Sequence, residues 1–169
     1  FDAVDAQEID YNTDEGKKIA DQYNAVLLPL YILDKEVAEK PEFEKFKQVF
    51  TEKDNWYVLN KDAACSSFYF KRENIPNKVD FFVKEGDSSS IKAENNLEEF
   101  LNAFEEAEFE KHFANDKLAQ ELDIKTFPTF LINNRVKFSG VRTAETIKEN
   151  FCKLNNVEAC EESLSKSLV

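Results

Sequence analysis

The sequence has no methionine, three glycines, four prolines and one histidine, His112, in 169 residues. With no methionine, Phe1 is expected to follow a processing cut or to lie inside a longer precursor. No apolar run approaches the roughly 18 residues that a membrane-spanning helix needs. The longest, Ala25 to Leu33, is interrupted by Pro29, and no basic-then-apolar leader opens the chain, so membrane insertion is not expected. Cations are also scarce, with 22 Lys plus Arg against 34 Asp plus Glu and a net charge of -12. Such a surface repels phosphate backbones and anionic lipid, which argues against nucleic acid as a partner. What is abundant is apolar mass: 42% hydrophobic residues and 13% aromatic, enough to build a core and to exclude disorder.

Of the three cysteines, Cys65 stands alone, while Cys152 and Cys160 lie eight positions apart near the C-terminus. A zinc site would require further thiolates or imidazoles, and His112 is far from the pair in sequence, so no metal is expected. A local disulfide is the better reading. It implies an oxidising compartment, periplasmic or secreted. It would tie the tail to the preceding helix and restrict the unfolded chain.

Along the chain, Ala6 to Tyr11 reads as a strand, and Thr13 caps a helix with Ile19, Ala20 and Tyr23 on one face. Ala25 to Leu33 reads as a buried strand. Pro41 suits the first turn of a helix in which Phe43, Phe46 and Phe50 recur at helical spacing. Trp56 to Leu59 and Ser66 to Phe70 read as strands that pair with each other. The break at Lys71 to Lys78, with Asn74, Pro76 and Asn77, divides the chain into units 1–73 and 74–169.

The second unit then reads as strand Val79 to Val83, polar turn Gly86 to Ser90, and a helix with Leu97, Phe100, Leu101 and Phe104 on one stripe. A helical insert carrying Phe109, Phe113, Leu118 and Leu122 follows. A proline-led strand to Ile132, a turn at Asn133-Asn134, a strand Val136 to Phe138 and a last helix with Ile147, Phe151 and Leu154 inward complete it. Alternating strands and helices give an α/β class. Ile19 to Leu30 and Leu118 to Thr129 both read as helix end, linker, apolar residue, proline, strand, a weak internal repeat.

At these residues the sequence resembles the thioredoxin superfamily. Thr126-Phe127-Pro128-Thr129-Phe130 is similar to the cis-proline loop of such a domain. Val79 to Gly86 with Asp87 to Asn95 is similar to the first strand and active-site helix of DsbA-like proteins, and the tail around Cys152 and Cys160 to the end of some DsbA-like domains. The resemblance implies a thioredoxin-like fold, with a DsbA-like C-terminal unit preceded by a partial thioredoxin-like unit. It also implies cis bonds at Phe127-Pro128 and Leu28-Pro29.

Where that family carries Cys-x-x-Cys, this chain has Asp87, Ser88, Ser89 and Ser90. None of these can form the thiolate that thiol–disulfide exchange requires. Capping of the helix accounts for them. The resemblance therefore implies a degenerate redox site and a module without enzymatic activity or cofactor. Such a module binds a protein or extended peptide beside the cis-proline. Two other readings stay open: an oxidoreductase or isomerase whose cysteines lie upstream of Phe1 or are Cys65, Cys152 and Cys160, and a scaffold subunit of an extracellular assembly. Cys65 reads as a half-buried structural thiol, His112 as a solvent-facing helical residue without a nucleophile to serve, and Glu105 to Glu110 as a solvated helix face.

Overall fold

The computed structural model describes residues 6–61, 63 and 66–168. The chain divides into two units, Phe1–Ala64 and Cys65–Val169.

In the first unit the hydroxyl of Thr13 accepts from the Gly16 amide and opens helix α1, Asp14–Gln22. Gly16 is required there, because a Cβ would come 2.2 Å from the carbonyl oxygen of Asp10. A three-stranded antiparallel sheet follows, formed by β1 (Ile32–Asp34), β2 (Phe50–Lys53) and β3 (Trp56–Leu59) in the order β1-β3-β2. Between β1 and β2 a short helix α2, Phe43–Phe46, buries Phe43 fully against Tyr57 and Phe50, with ring centroids 4.6 and 5.6 Å away.

Three expectations for this unit are corrected. Ala6 to Tyr11 is not a strand; residues 6–10 are exposed and join no ladder. Of Ala25 to Leu33 only Ile32 and Leu33 enter a strand, and Val26 and Tyr31 are exposed, since Pro29 offers no N–H to a ladder. Phe50 leaves the helical pattern: its amide closes a 3₁₀ turn on Lys47, its backbone turns extended, and it pairs with Leu59.

The second unit is built on a five-stranded mixed sheet. Its strands are β4 (Ser66–Phe68), β5 (Lys78–Val83), β6 (Glu108–Phe113), β7 (Thr129–Ile132) and β8 (Val136–Ser139), in the order β4-β8-β7-β5-β6. Helix α3, Ser88–Ala103, connects β5 to its parallel neighbour β6, and α4, Lys117–Glu121, leads from β6 to β7. The β7–β8 hairpin turns on Asn133 and Asn134, whose φ values of 51° and 61° are those of a primed turn. Helix α5, Ala144–Cys152, follows.

Alternation sets the two faces of β5. Val79, Phe81 and Val83 join Phe130, Ile132 and Phe138 in one cluster with Ala93, Leu97 and Phe100 of α3 and Ile147 and Phe151 of α5. Lys78, Asp80 and Phe82 point to the opposite face. The α/β class expected from the sequence is thus present.

A buried amide fastens the hairpin to the last helix. Asn155 Oδ1 accepts from the Asn77 amide at 3.0 Å and from Asn133 Nδ2 at 2.7 Å. Its Nδ2 donates to Asn133 Oδ1 at 3.1 Å and to the Phe151 carbonyl at 3.0 Å. The segment Lys71 to Lys78 is held to the same hairpin: the Ile75 amide donates to the Asn133 carbonyl, and Arg72 Nε to Asn134 Oδ1.

Four expectations here are also corrected. β4 pairs with β8 rather than with Trp56 to Leu59. Leu154 lies beyond the end of α5 and is exposed. The stretch with Phe109 and Phe113 is strand β6, not a helix, because Glu108 to Phe113 pairs residue by residue with Lys78 to Val83 of β5 in a parallel ladder. Glu105 to Glu110 is accordingly a turn and an exposed strand segment rather than a helix face.

Candidate functional site

At the C-terminal end of β5 the chain turns through Gly86, with φ 73°, into the N-terminus of α3. Asp87 is the N-cap. Its Oδ2 accepts from the Ser90 amide at 2.7 Å and the Ser90 hydroxyl at 2.8 Å, while Ser90 Oγ accepts from the Lys84 amide at 3.2 Å. Ser88 and Ser89 form the first turn, and Ser90 is buried. The orphan amide of Ser90 in the first turn is thereby met by the Asp87 carboxylate.

Hydrogen bonds from the Ser90 hydroxyl, then from its amide, hold the Asp87 carboxyl below its ordinary range. A carboxylate depressed in the folded state contributes stability that is complete above its unfolded pKa and is lost as pH falls through the folded value. The Ser90 amide should therefore keep its capped chemical shift down to about pH 3.9, the unperturbed aspartate value, and release only below it. Asp87→Asn should abolish that acid transition. An NMR titration with its midpoint above the ordinary carboxylate range would refute this.

Phe127-Pro128 and Leu28-Pro29 are both cis. Phe82 lies opposite Thr129, so Pro128 falls one step further along, beside the Val83 end of β5, the end from which the turn into α3 leaves. The loop is anchored from three sides. Thr129 Oγ1 donates to the Thr126 carbonyl at 2.7 Å and lies 2.6 Å from Ser139 Oγ, and the Gly140 amide donates to the Pro128 carbonyl at 2.8 Å.

Leu28 and Pro29 belong to the first unit and have a local counterpart of this loop. Asn24 and Asp123 both have φ 52°. The Ala25 amide donates to the Ala20 carbonyl at 2.8 Å, and the Ile124 amide to that of Ala119 at 2.9 Å. Each unit thus closes a helix with a left-handed residue and then enters a cis proline at the same spacing. Cys152 and Cys160 are disulfide-bonded at the end of α5, with Cα atoms 5.8 Å apart, as the sequence suggests. The Leu164 amide donates to Glu145 Oε2, and the Ser165 amide to Glu99 Oε1, which holds the tail along α5 and α3. Cys65 lies outside the described residues.

A second constellation escapes sequence reasoning. His112 is not a solvent-facing helical residue: it sits on β6, only 6% exposed, with its ring stacked on Phe82 at 4.9 Å. Its Nε2 is 2.8 Å from Oδ1 of Asp80, which is fully buried, and 3.9 Å from Oε2 of Glu110. Lys78 Nζ lies 3.2 Å from Asp80 Oδ1 and 3.1 Å from Glu110 Oε2. Burial pulls the Lys78 ammonium down, but its hydrogen bonds and charge interactions with Glu110 and Asp80 outweigh this and leave its pKa raised. The usable signal was the alternation Glu108, Glu110, His112, which read as a strand places all three on one face. Compared with family models, curated proteins and solved structures, the chain matches none.

Proposed function

We propose that the chain is a redox-inactive pair of thioredoxin-like units from an exported protein, the second unit DsbA-like, and that it binds a protein partner as an extended segment. The observation that carries the reading is the start of α3. Asp87 and Ser90 fill the helix N-terminus at the position where the resemblance calls for a thiol pair, and the Phe127-Pro128 loop enters β7 at the same end of the strands. Exchange needs a thiolate attacking sulfur, and a carboxylate or hydroxyl cannot substitute for it.

Further support comes from the element order β5-α3-β6-α4-β7-β8-α5, with a parallel pair followed by an antiparallel hairpin. The matching helix ends and cis prolines of the two units fit a pair of related modules. Main-chain groups of a cis-proline loop suit an extended partner, which contributes backbone hydrogen bonds as an added strand does.

The test uses the full chain, isotope-labelled and titrated with an unfolded, thiol-blocked polypeptide. Amide shifts should concentrate at Lys84 to Ser90 and Thr126 to Gly140, and the same protein should not turn over a test disulfide faster than a free thiol. Disulfide turnover above that rate, or shifts confined to other surfaces, would overturn the reading.

A further inference from the structure

The cluster on the far side of the sheet from the α3–α5 core has a chemistry that peptide binding does not use. Asp80 of β5 lies opposite Glu110 of β6, and Phe82 opposite His112, so the two strands present two carboxylates and an imidazole on one face. One ligand atom from each of Asp80, Glu110 and His112 lies within 4.8 Å of the others. Tetrahedral ligand atoms about 2.0–2.2 Å from a zinc ion are roughly 3.3 Å apart. The His112–Asp80 and His112–Glu110 separations of 2.8 and 3.9 Å lie on either side of that spacing.

The carboxylates are incompletely satisfied. Two carboxylates face the single ammonium of Lys78, and Asp80 Oδ2, fully enclosed, has no hydrogen-bond partner among the described residues. A buried acceptor left in that condition is costly. A divalent cation would neutralise both carboxylates and could take up this second oxygen, with the neutral imidazole as nitrogen donor and Lys78 swung aside. Access exists, because β6 is an edge strand and the Glu110 and Lys78 side chains are 57% and 22% exposed.

We propose that Asp80, Glu110 and His112 form a three-ligand site for a divalent transition-metal ion of the zinc type, in which Lys78 is a competing internal cation. Nitrogen ligation by His112 selects zinc or cobalt over calcium and magnesium, which prefer oxygen donors. Three protein ligands leave one coordination position open to water or to a group supplied by a partner.

The experiment uses the untagged full chain carrying Cys65→Ser, so that no cysteine outside the disulfide can bind the metal, after chelator treatment. Calorimetric titration with Zn²⁺ should give one ion per chain, and Co²⁺ should develop the visible bands of a low-coordinate site. Glu110→Gln, at an exposed position that leaves the fold intact, should weaken binding about tenfold or more, and His112→Ala should abolish it. The decisive variant is Lys78→Gln. Removal of a cation some 3 Å from two ligands should tighten Zn²⁺ binding by about tenfold, whereas an ordinary salt-bridge cluster would show no metal affinity to improve. Absence of saturable Zn²⁺ and Co²⁺ binding, binding indifferent to Glu110→Gln, or weaker binding in Lys78→Gln would each overturn the proposal. None of these readouts depends on peptide binding or disulfide chemistry.

Discussion

Asn155→Leu should lower the unfolding free energy by about 3 kcal/mol or more, measured by urea unfolding. The wild-type amide uses two donor and two acceptor positions at once, on Asn133, Asn77 and Phe151. The Phe151 carbonyl also accepts from the amides of Leu154 and Asn155 and loses little. Both ends of the Asn133 side chain, and the Asn77 amide, would be stranded. Asn133 is fully buried, so water cannot take over. Each stranded group costs about 1–3 kcal/mol, so the two fully buried ends of Asn133 together cost about 2–6 kcal/mol, and the half-buried Asn77 amide adds to that. Asn155→Asp should fall between leucine and wild type, because it keeps the acceptor for Asn77 and loses the donors. A loss under about 1 kcal/mol for leucine would mean that the hairpin turn and α5 hold together without this side chain.

The same contact explains what was legible in the sequence. The apolar runs around β5 and β7, the Asn-Asn turn, the stripe of α3 and, in α5, Ile147 and Phe151 are local patterns that sit where their periodicity puts them, Leu154 excepted. The Asn155 node is not local: its partners lie 22 and 78 positions away, and no spacing rule pairs them. β6 was misread for a different reason. Glu and Lys favour helices in isolation, and four of its six residues are charged or histidine. The ladder with β5 overrides that propensity, and as an edge strand β6 can leave Glu108, Glu110 and Lys111 exposed. Reading the stretch as helix also hid the site. On a helix Glu110 and His112 diverge, whereas on a strand they share a face and meet Asp80 of the neighbouring strand. The capped start of α3 was legible because cap chemistry is written within four residues.

In chelator-treated protein, His112→Leu should destabilise by about 3 kcal/mol, and adding Asp80→Val to it should recover much of that loss. The first change strands a fully buried carboxylate. Oδ2 has no hydrogen-bond partner among the described residues, and Oδ1 would keep only Lys78, which it shares with Glu110. A fully buried carboxylate that shares its one remaining cation with Glu110 is poorly compensated for its desolvation. The second change removes that charge and replaces it with a β-branched apolar residue suited to a central strand, opposite Leu131 of β7. Apolar residues in place of both partners of a buried hydrogen bond are often nearly neutral or stabilising, so the double variant should be more stable than His112→Leu alone. Denaturant unfolding of wild type, both single variants and the double variant gives the coupling directly. Additive losses would mean that Asp80 and His112 act independently, and that the orphaned oxygen is solvated in the folded protein.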